Sequence, residues 1–369
     1  MGLGPATRSV LLPKPLALRR GGVLHGVEIA YECWGGLNAA RDNAVLLFTG
    51  LSPSAHAASN AADLSPGWWQ DMVGPGKALD SDRCHIVCVN SLGSCFGSTG
   101  PASIEPATGV RYGRRFPVLS VEDIALAAHE GLRALGIDKL HAVVGNSLGG
   151  FSALAYALQF PDAVERAVLS SSATCSLPFA IAVRSLQREL IRRDPVWNGG
   201  DYAADHEPLA GMRLARKIGV LSYRSPQEWD QRFGRKRMAA LEDAPPDGFG
   251  PQFEVEAYLQ AHADRFVGGF DANCYLQISR AMDLFDAADH GGGSLDAAFA
   301  KLKLEAALVI GVETDILFPI HQQAELAKLL AADGRRVEFA RLDCVQGHDS
   351  FLIESARFSA AIGPFLAGR

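Results

Sequence analysis

The segment Gly145-Asn146-Ser147-Leu148-Gly149 is the part of this chain best suited to chemistry. A G-x-S-x-G pattern between an apolar run and a helical one describes a nucleophile elbow. Its glycines relieve crowding at a tight strand-to-helix turn, and the serine is held strained with its hydroxyl exposed. Such a hydroxyl needs a base to take its proton and an acid to fix the base, in chain order serine, aspartate or glutamate, histidine. Of the ten histidines, only His321 and His348 lie in α/β sequence after the long helical stretch described below. His321 opens a helix and reads as a surface residue. His348 sits in the turn Gln346-Gly347-His348-Asp349, where a loop after a strand would reach the catalytic edge. Asp315, in Glu313-Thr314-Asp315 after another strand, is the expected acid, and Glu313 is the other candidate. Asp349 is too near His348 in sequence to meet its ring at a useful angle. Ser147, Asp315 and His348 are therefore the expected triad. The oxyanion of an acyl intermediate would be met by the backbone N–H of Leu148 and by that of Leu51, in Thr49-Gly50-Leu51 after an early strand.

These residues need a scaffold, and its outline is legible. Short apolar runs ending in turn residues occur at 44–48, 85–89, 140–144 and 166–169, with helical periodicity at 121–135 and 151–159. Strands alternating with helices predict a mostly parallel α/β sheet. From about 176 to 293 the pattern is helical throughout, at 179–192, 209–219, 226–238, 254–266 and 272–285. The linkers there are Trp197-Asn198-Gly199-Gly200, Ala244-Pro245-Pro246-Asp247-Gly248 and Gly291-Gly292-Gly293. Strands return at 306–310 and 337–342, with helices at 321–331 and 351–366. The chain is thus expected to build one α/β core from residues 1–175 and 294–369. An inserted helical domain of roughly 120 residues, 176–293, interrupts it.

Composition narrows the function. With 35 basic against 41 acidic residues the formal charge is −6, the wrong sign for a nucleic-acid binder. Seven cysteines spread over 369 residues form neither a disulfide framework nor a zinc-site spacing, so reduced thiols, no metal and a cytoplasmic location are expected. The uncharged stretch 140–160 could span a bilayer by length. The glycines and Ser147 in its middle make it a strand, a sharp turn and a buried helix instead.

Several motifs in order resemble the homoserine O-acetyltransferase family of α/β-hydrolase acyltransferases. They are Gly67-Trp68-Trp69, Gly74-Pro75-Gly76-Lys77-Ala78, Gly97-Ser98-Thr99-Gly100-Pro101, the elbow, and Gly347-His348-Asp349-Ser350-Phe351-Leu352. The resemblance implies an α/β-hydrolase fold with a helical lid, a homodimer built through that lid, and no cofactor beyond acyl-CoA as co-substrate. It also implies a two-step transfer in which the serine is acylated and then deacylated by an amino-acid hydroxyl. Arg216 and Asp349 would bind that amino acid, one for its carboxylate and one for its ammonium group.

Gly50-Leu51-Ser52-Pro53-Ser54-Ala55-His56, Asn90-Ser91-Leu92-Gly93-Ser94-Cys95 and the stretch 181–188 look most like the serine O-succinyltransferase branch, which would feed cysteine biosynthesis. Arg184 stands where acetyl-using relatives usually carry asparagine, and a guanidinium there would pair with the carboxylate of a succinyl group. Homoserine as acceptor and acetyl-CoA as donor remain the alternatives, as does a serine hydrolase sharing the triad. A catalytically dead interaction protein is at odds with an intact triad.

Overall fold

The computed structural model describes residues 4–238 and 249–368. Eight strands form the main sheet: β1 (Arg8–Leu11), β2 (Glu28–Trp34), β3 (Ala44–Phe48), β4 (His85–Val89), β5 (Leu140–Asn146), β6 (Val164–Ser170), β7 (Ala306–Val312) and β8 (Arg336–Leu342). Their order across the sheet is β1-β2-β4-β3-β5-β6-β7-β8. The pairings from β4 to β8 are parallel, while β1 and β2 run antiparallel at one edge. The apolar runs that announced the strands are buried on both faces, as a parallel sheet requires. Leu46, Phe48, Val143, Leu169 and Val309 face α1 (Val121–Ala134) and α2 (Leu148–Gln159). Val45, Leu47, Val144, Val168 and Leu308 share the other core with Trp69, Met72, Phe358, Ile362 and Phe365.

Between β6 and β7 run α3 (Pro178–Arg193), α4 (Leu209–Tyr223), α5 (Pro226–Arg232), α6 (Glu254–Phe266), α7 (Ala272–Leu284) and α8 (Leu295–Phe299). The two ends of this stretch meet where Cys175 bridges Asp286 and the Ala287 N–H donates to the Thr174 carbonyl. The expected linker at 244–248 lies outside the described residues. After β7 come α9 (Ile320–Leu330), α10 (Ser350–Ile353) and α11 (Ser355–Leu366). Among the described residues no helix is long and apolar enough to cross a membrane, and the stretch at 140–160 is β5, a turn and α2.

Two readings need correction, and one strand was missed. The helix expected at 226–238 ends at Arg232, because Gly234 turns with φ +52° and Arg237 pairs with Phe253 in a short antiparallel bridge. The last helix is two, broken at Glu354, which caps α11 in a non-helical conformation. Strand β2 gave no clean signal because Glu32 interrupts its apolar run. That carboxylate is nonetheless buried, accepting hydrogen bonds from Thr7, His56 and Asn60.

Candidate active site

Ser147 stands between β5 and α2 with φ +56° and ψ −121°, a region that a side chain occupies only when its surroundings force it. The flanking glycines do the forcing. A Cβ on Gly145 would lie 2.0 Å from the Gly149 carbonyl oxygen, and one on Gly149 would lie 2.6 Å from that of Phe48. Only bare backbone lets the helix start so close to β3 and β5. In this turn the Leu148 N–H is left unpaired at the helix N-terminus, as is the Leu51 N–H after β3 among the described residues. Leu51 and Ser147 line one cavity.

His348, nearly fully buried, brings the triad together. Its Nε2 accepts from the Ser147 hydroxyl at 2.8 Å and its Nδ1 donates to Asp315 Oδ2 at 2.9 Å. The second Asp315 oxygen accepts the N–H groups of Leu317 and Phe318 at 2.9 and 3.0 Å, which fixes the carboxylate. Glu313, left open by the sequence, points outward and pairs with Arg341 on the surface. The loops carrying Asp315 and His348 are tied by Thr314, whose Oγ accepts the Gly347 N–H and donates to the Cys344 carbonyl. Burial pushes the His348 imidazolium down. The charge and hydrogen bond of Asp315, with the charge of Asp349, outweigh that and the opposing Arg184, and hold it above its ordinary value.

All these groups sit at the carboxyl ends of parallel strands, where open α/β sheets bind ligands. The cavity there is about 120 Å³, roofed by α3, α4 and α7 through Val183, Arg184, Gln187, Arg216, Tyr223 and Met282. A larger groove of about 590 Å³ lies near the amino ends of β3 to β6, away from Ser147. Gly76, Lys77 and Ala78 line it, so that family-like motif serves another part of the molecule. Trp68 lines the catalytic cavity. Trp69 donates its indole N–H to the Phe351 carbonyl at 2.8 Å, bracing the helix just after His348. In Gly97-Ser98-Thr99-Gly100-Pro101, the hydroxyls of Ser98 and Thr99 accept N–H groups of β2.

Each of the other expected site residues reaches this cavity. Arg216 lies over the Phe266 ring at 4.4 Å, and among the described residues it pairs with no carboxylate; its Nε is buried without a hydrogen-bond partner. Asp349, partly buried, has Oδ2 3.2 Å from Arg224 Nε. Burial raises its carboxyl above the ordinary range, against the charges of Arg224, His348 and Arg216. Arg184 is buried, with Nε donating to Asp283 at 2.6 Å and Nη2 to the Ser176 hydroxyl at 2.6 Å. Sequence reasoning missed the aromatic box around the base. Tyr223, Phe318 and Phe351 have ring centroids 6.0, 5.4 and 5.8 Å from that of His348. They come from three separate elements, and no spacing links them.

Comparison with known proteins shows the family to which the chain belongs. Residues 43–345 match the family model described as alpha/beta hydrolase fold. A serine O-succinyltransferase of Litchfieldella anticariensis is 54% identical over 98% of both chains. An L-serine/homoserine O-acetyltransferase of Streptomyces lavendulae is likewise 54% identical over 98% of both. Among solved structures, homoserine O-acetyltransferase from Bacillus anthracis superposes with a TM-score of 0.88 at 28% identity, covering 98% of this chain and 97% of that one. Esterase E22 does so with 0.87 at 29%, covering 98% and 99%.

Proposed function

Because the chain belongs to the α/β-hydrolase family and, within it, to the serine and homoserine O-acyltransferases, we propose that it acylates the hydroxyl of L-serine from an acyl-CoA, succinyl-CoA being the favoured donor. One observation carries this reading. The cavity beside Ser147 presents two guanidiniums with donors to spare, Arg184 and Arg216, and one carboxylate, Asp349. That set complements an amino-acid zwitterion plus an anionic acyl chain.

In the first half-reaction His348 Nε2 takes the Ser147 proton as Oγ attacks the thioester carbonyl. The oxyanion lies on the N–H groups of Leu51 and Leu148, and Asp315 holds the imidazolium. Collapse expels the CoA thiolate, which leaves with the proton from His348. In the second half-reaction the serine hydroxyl gives its proton to His348 and attacks the acyl-Ser147 ester; collapse breaks the bond from the acyl carbon to Ser147 Oγ, which takes the proton back from His348 as the O-acylserine leaves. Arg216 binds the serine carboxylate and Asp349 its ammonium group, so the acceptor hydroxyl replaces water.

The similarity to an acetyltransferase at equal identity favours a second reading, acetyl-CoA as donor or homoserine as acceptor. A matrix of serine and homoserine against succinyl-CoA and acetyl-CoA separates them. The highest kcat/KM is expected for serine with succinyl-CoA, and thiol release without any amino acid would mark a hydrolase instead. Arg184→Asn should lower the succinyl-to-acetyl ratio of kcat/KM by about 1.5–3 kcal/mol, the worth of a charge-assisted hydrogen bond. An unchanged ratio removes the basis for succinyl.

The proposal extends to a cytoplasmic homodimer. Phe179 and Leu186 on α3, and Leu214 and Leu221 on α4, are exposed seven residues apart, and α3 packs on α4. Two such stripes side by side are what a second copy would cover in a helical bundle.

A further inference from the structure

Arg184 selects nothing unless something holds it, and the residue that does so lies outside the cavity. Its Nε donates to Asp283 Oδ1 at 2.6 Å and its Nη2 to Ser176 Oγ at 2.6 Å, which leaves Nη1 without a partner among the described residues. Ser176 Oγ in turn donates to the Met282 carbonyl at 3.0 Å, tying the clamp to the last turn of α7. The other Asp283 oxygen is ion-paired with Arg188 Nη1 at 2.7 Å without the geometry of a hydrogen bond, and that nitrogen donates instead to the Ser279 hydroxyl at 3.0 Å. One carboxylate thus serves two guanidiniums one turn apart on α3.

The sharing matters. A lone Arg–Asp pair would be neutral and offer little to an anion. Two cations on one carboxylate, Arg184 buried and Arg188 half-buried, leave one positive charge unmatched, and among the described residues neither arginine pairs with another acid. An unmatched buried charge is costly until a counter-ion arrives. The guanidinium plane is also fixed along two of its edges, which a directional bond to a carboxylate requires.

We infer that Asp283 is a positioning residue of the acyl-group selector: shared with Arg188 and aided by Ser176, it orients Arg184 so that its free Nη1 edge meets a carboxylate at the end of the donor's acyl chain. The inference rests on the succinyl reading above. Asp283 touches no substrate in this scheme and acts only through Arg184.

The test is the succinyl-to-acetyl ratio of kcat/KM for Asp283→Asn in the wild-type and Arg184→Asn backgrounds, with thermal unfolding followed in parallel. In the wild-type background the ratio should fall about tenfold. In the Arg184→Asn background it should change less than about twofold, because no guanidinium remains to be held. Ser176→Ala removes the second clamp at little risk to folding and should lower the ratio about two- to fivefold. Equal losses with both donors alongside a lower thermal midpoint would reduce Asp283 to a structural ion pair between α3 and α7. A ratio shift that survives in the Arg184→Asn background would equally overturn the inference. If Arg184→Asn itself leaves the ratio unchanged, the succinyl reading fails too; if it shifts the ratio while Asp283→Asn and Ser176→Ala do not, only the role of Asp283 falls.

Discussion

The strand-edge loops and the helices above them are built on opposite plans. At the sheet edge each group of the triad is matched: Ser147 to His348, His348 to Asp315, and Asp315 to two backbone N–H groups. Backbone strain at Ser147 is tolerated because crowded glycines leave the turn no other path. In the helices the groups are left over. Among the described residues Arg216 pairs with no carboxylate and Arg184 keeps one nitrogen free, and apolar stripes on α3 and α4 face outward. Unsaturated groups are the ones that wait for a particular ligand. An esterase and a homoserine O-acetyltransferase both stand among this chain's structural neighbours, so the scaffold by itself does not fix the acceptor.

The sharpest way to break the contrast is at the triad. Ser147→Ala should abolish the burst of free CoA in rapid mixing; a burst of full amplitude would show that the acyl group is carried elsewhere. Asp315→Asn should lower kcat/KM by about 10³–10⁴, as loss of tautomer control does in other triads, while circular dichroism shows a folded protein.

At Arg216 the expected loss is smaller and of a different kind. Arg216→Gln should raise KM for the amino-acid acceptor by about ten- to a hundredfold, the loss of a charged hydrogen-bond pair. The CoA burst that reports the first half-reaction should persist. A collapsed burst would move Arg216 from acceptor binding into the catalytic edge and erase the distinction between the two regions.

The pH dependence sharpens the same point. His348 must be neutral to act as base, and its native value is raised above the ordinary 6.5. The acid limb of kcat/KM should therefore have its midpoint above that value, with activity rising as the proton leaves. Stability runs the other way. The protonated ring's pairing with Asp315 contributes fully below the unfolded value and is lost as pH rises through the native one. Thermal midpoints of wild type and His348→Gln, measured across this window, should converge at its alkaline side; curves that stay parallel would mean that the Asp315 pairing does not set the shift.

The smallest catalytic effect belongs to the outer face of the helices. Leu186→Glu with Leu221→Glu should shift the particle from dimer to monomer in sedimentation while leaving the first half-reaction nearly unchanged. Both side chains point away from the cavity. A wild-type monomer would leave those stripes without the occupant proposed for them.

How much of this was legible follows from how each feature is encoded. The elbow, the strand runs and the helix periods are written in neighbouring residues, so a linear reading recovers them and points to Ser147 and His348, which the structure brings within hydrogen-bond distance. Helix ends were less secure. Gly234 ended one early, and Glu354 broke another, through backbone conformations that composition does not announce. β2 was hidden because a buried glutamate looks like a surface residue until its three partners, from distant points in the chain, are in place.

The sequence by itself determined the candidate groups and their order: a serine on a forced turn, then an acid and a histidine, within α/β sequence interrupted by a helical stretch. Only the tertiary structure decided between Asp315 and Glu313. Both follow the same strand, and what separates them is which one turns inward to two backbone N–H groups and which outward to Arg341. It alone put Asp283 against Arg184, ninety-nine residues away along the chain. The physical reason is the same in each case. Local rules act through backbone geometry over a few residues, whereas charge pairing and burial depend on distances that exist only once the sheet and helices have packed.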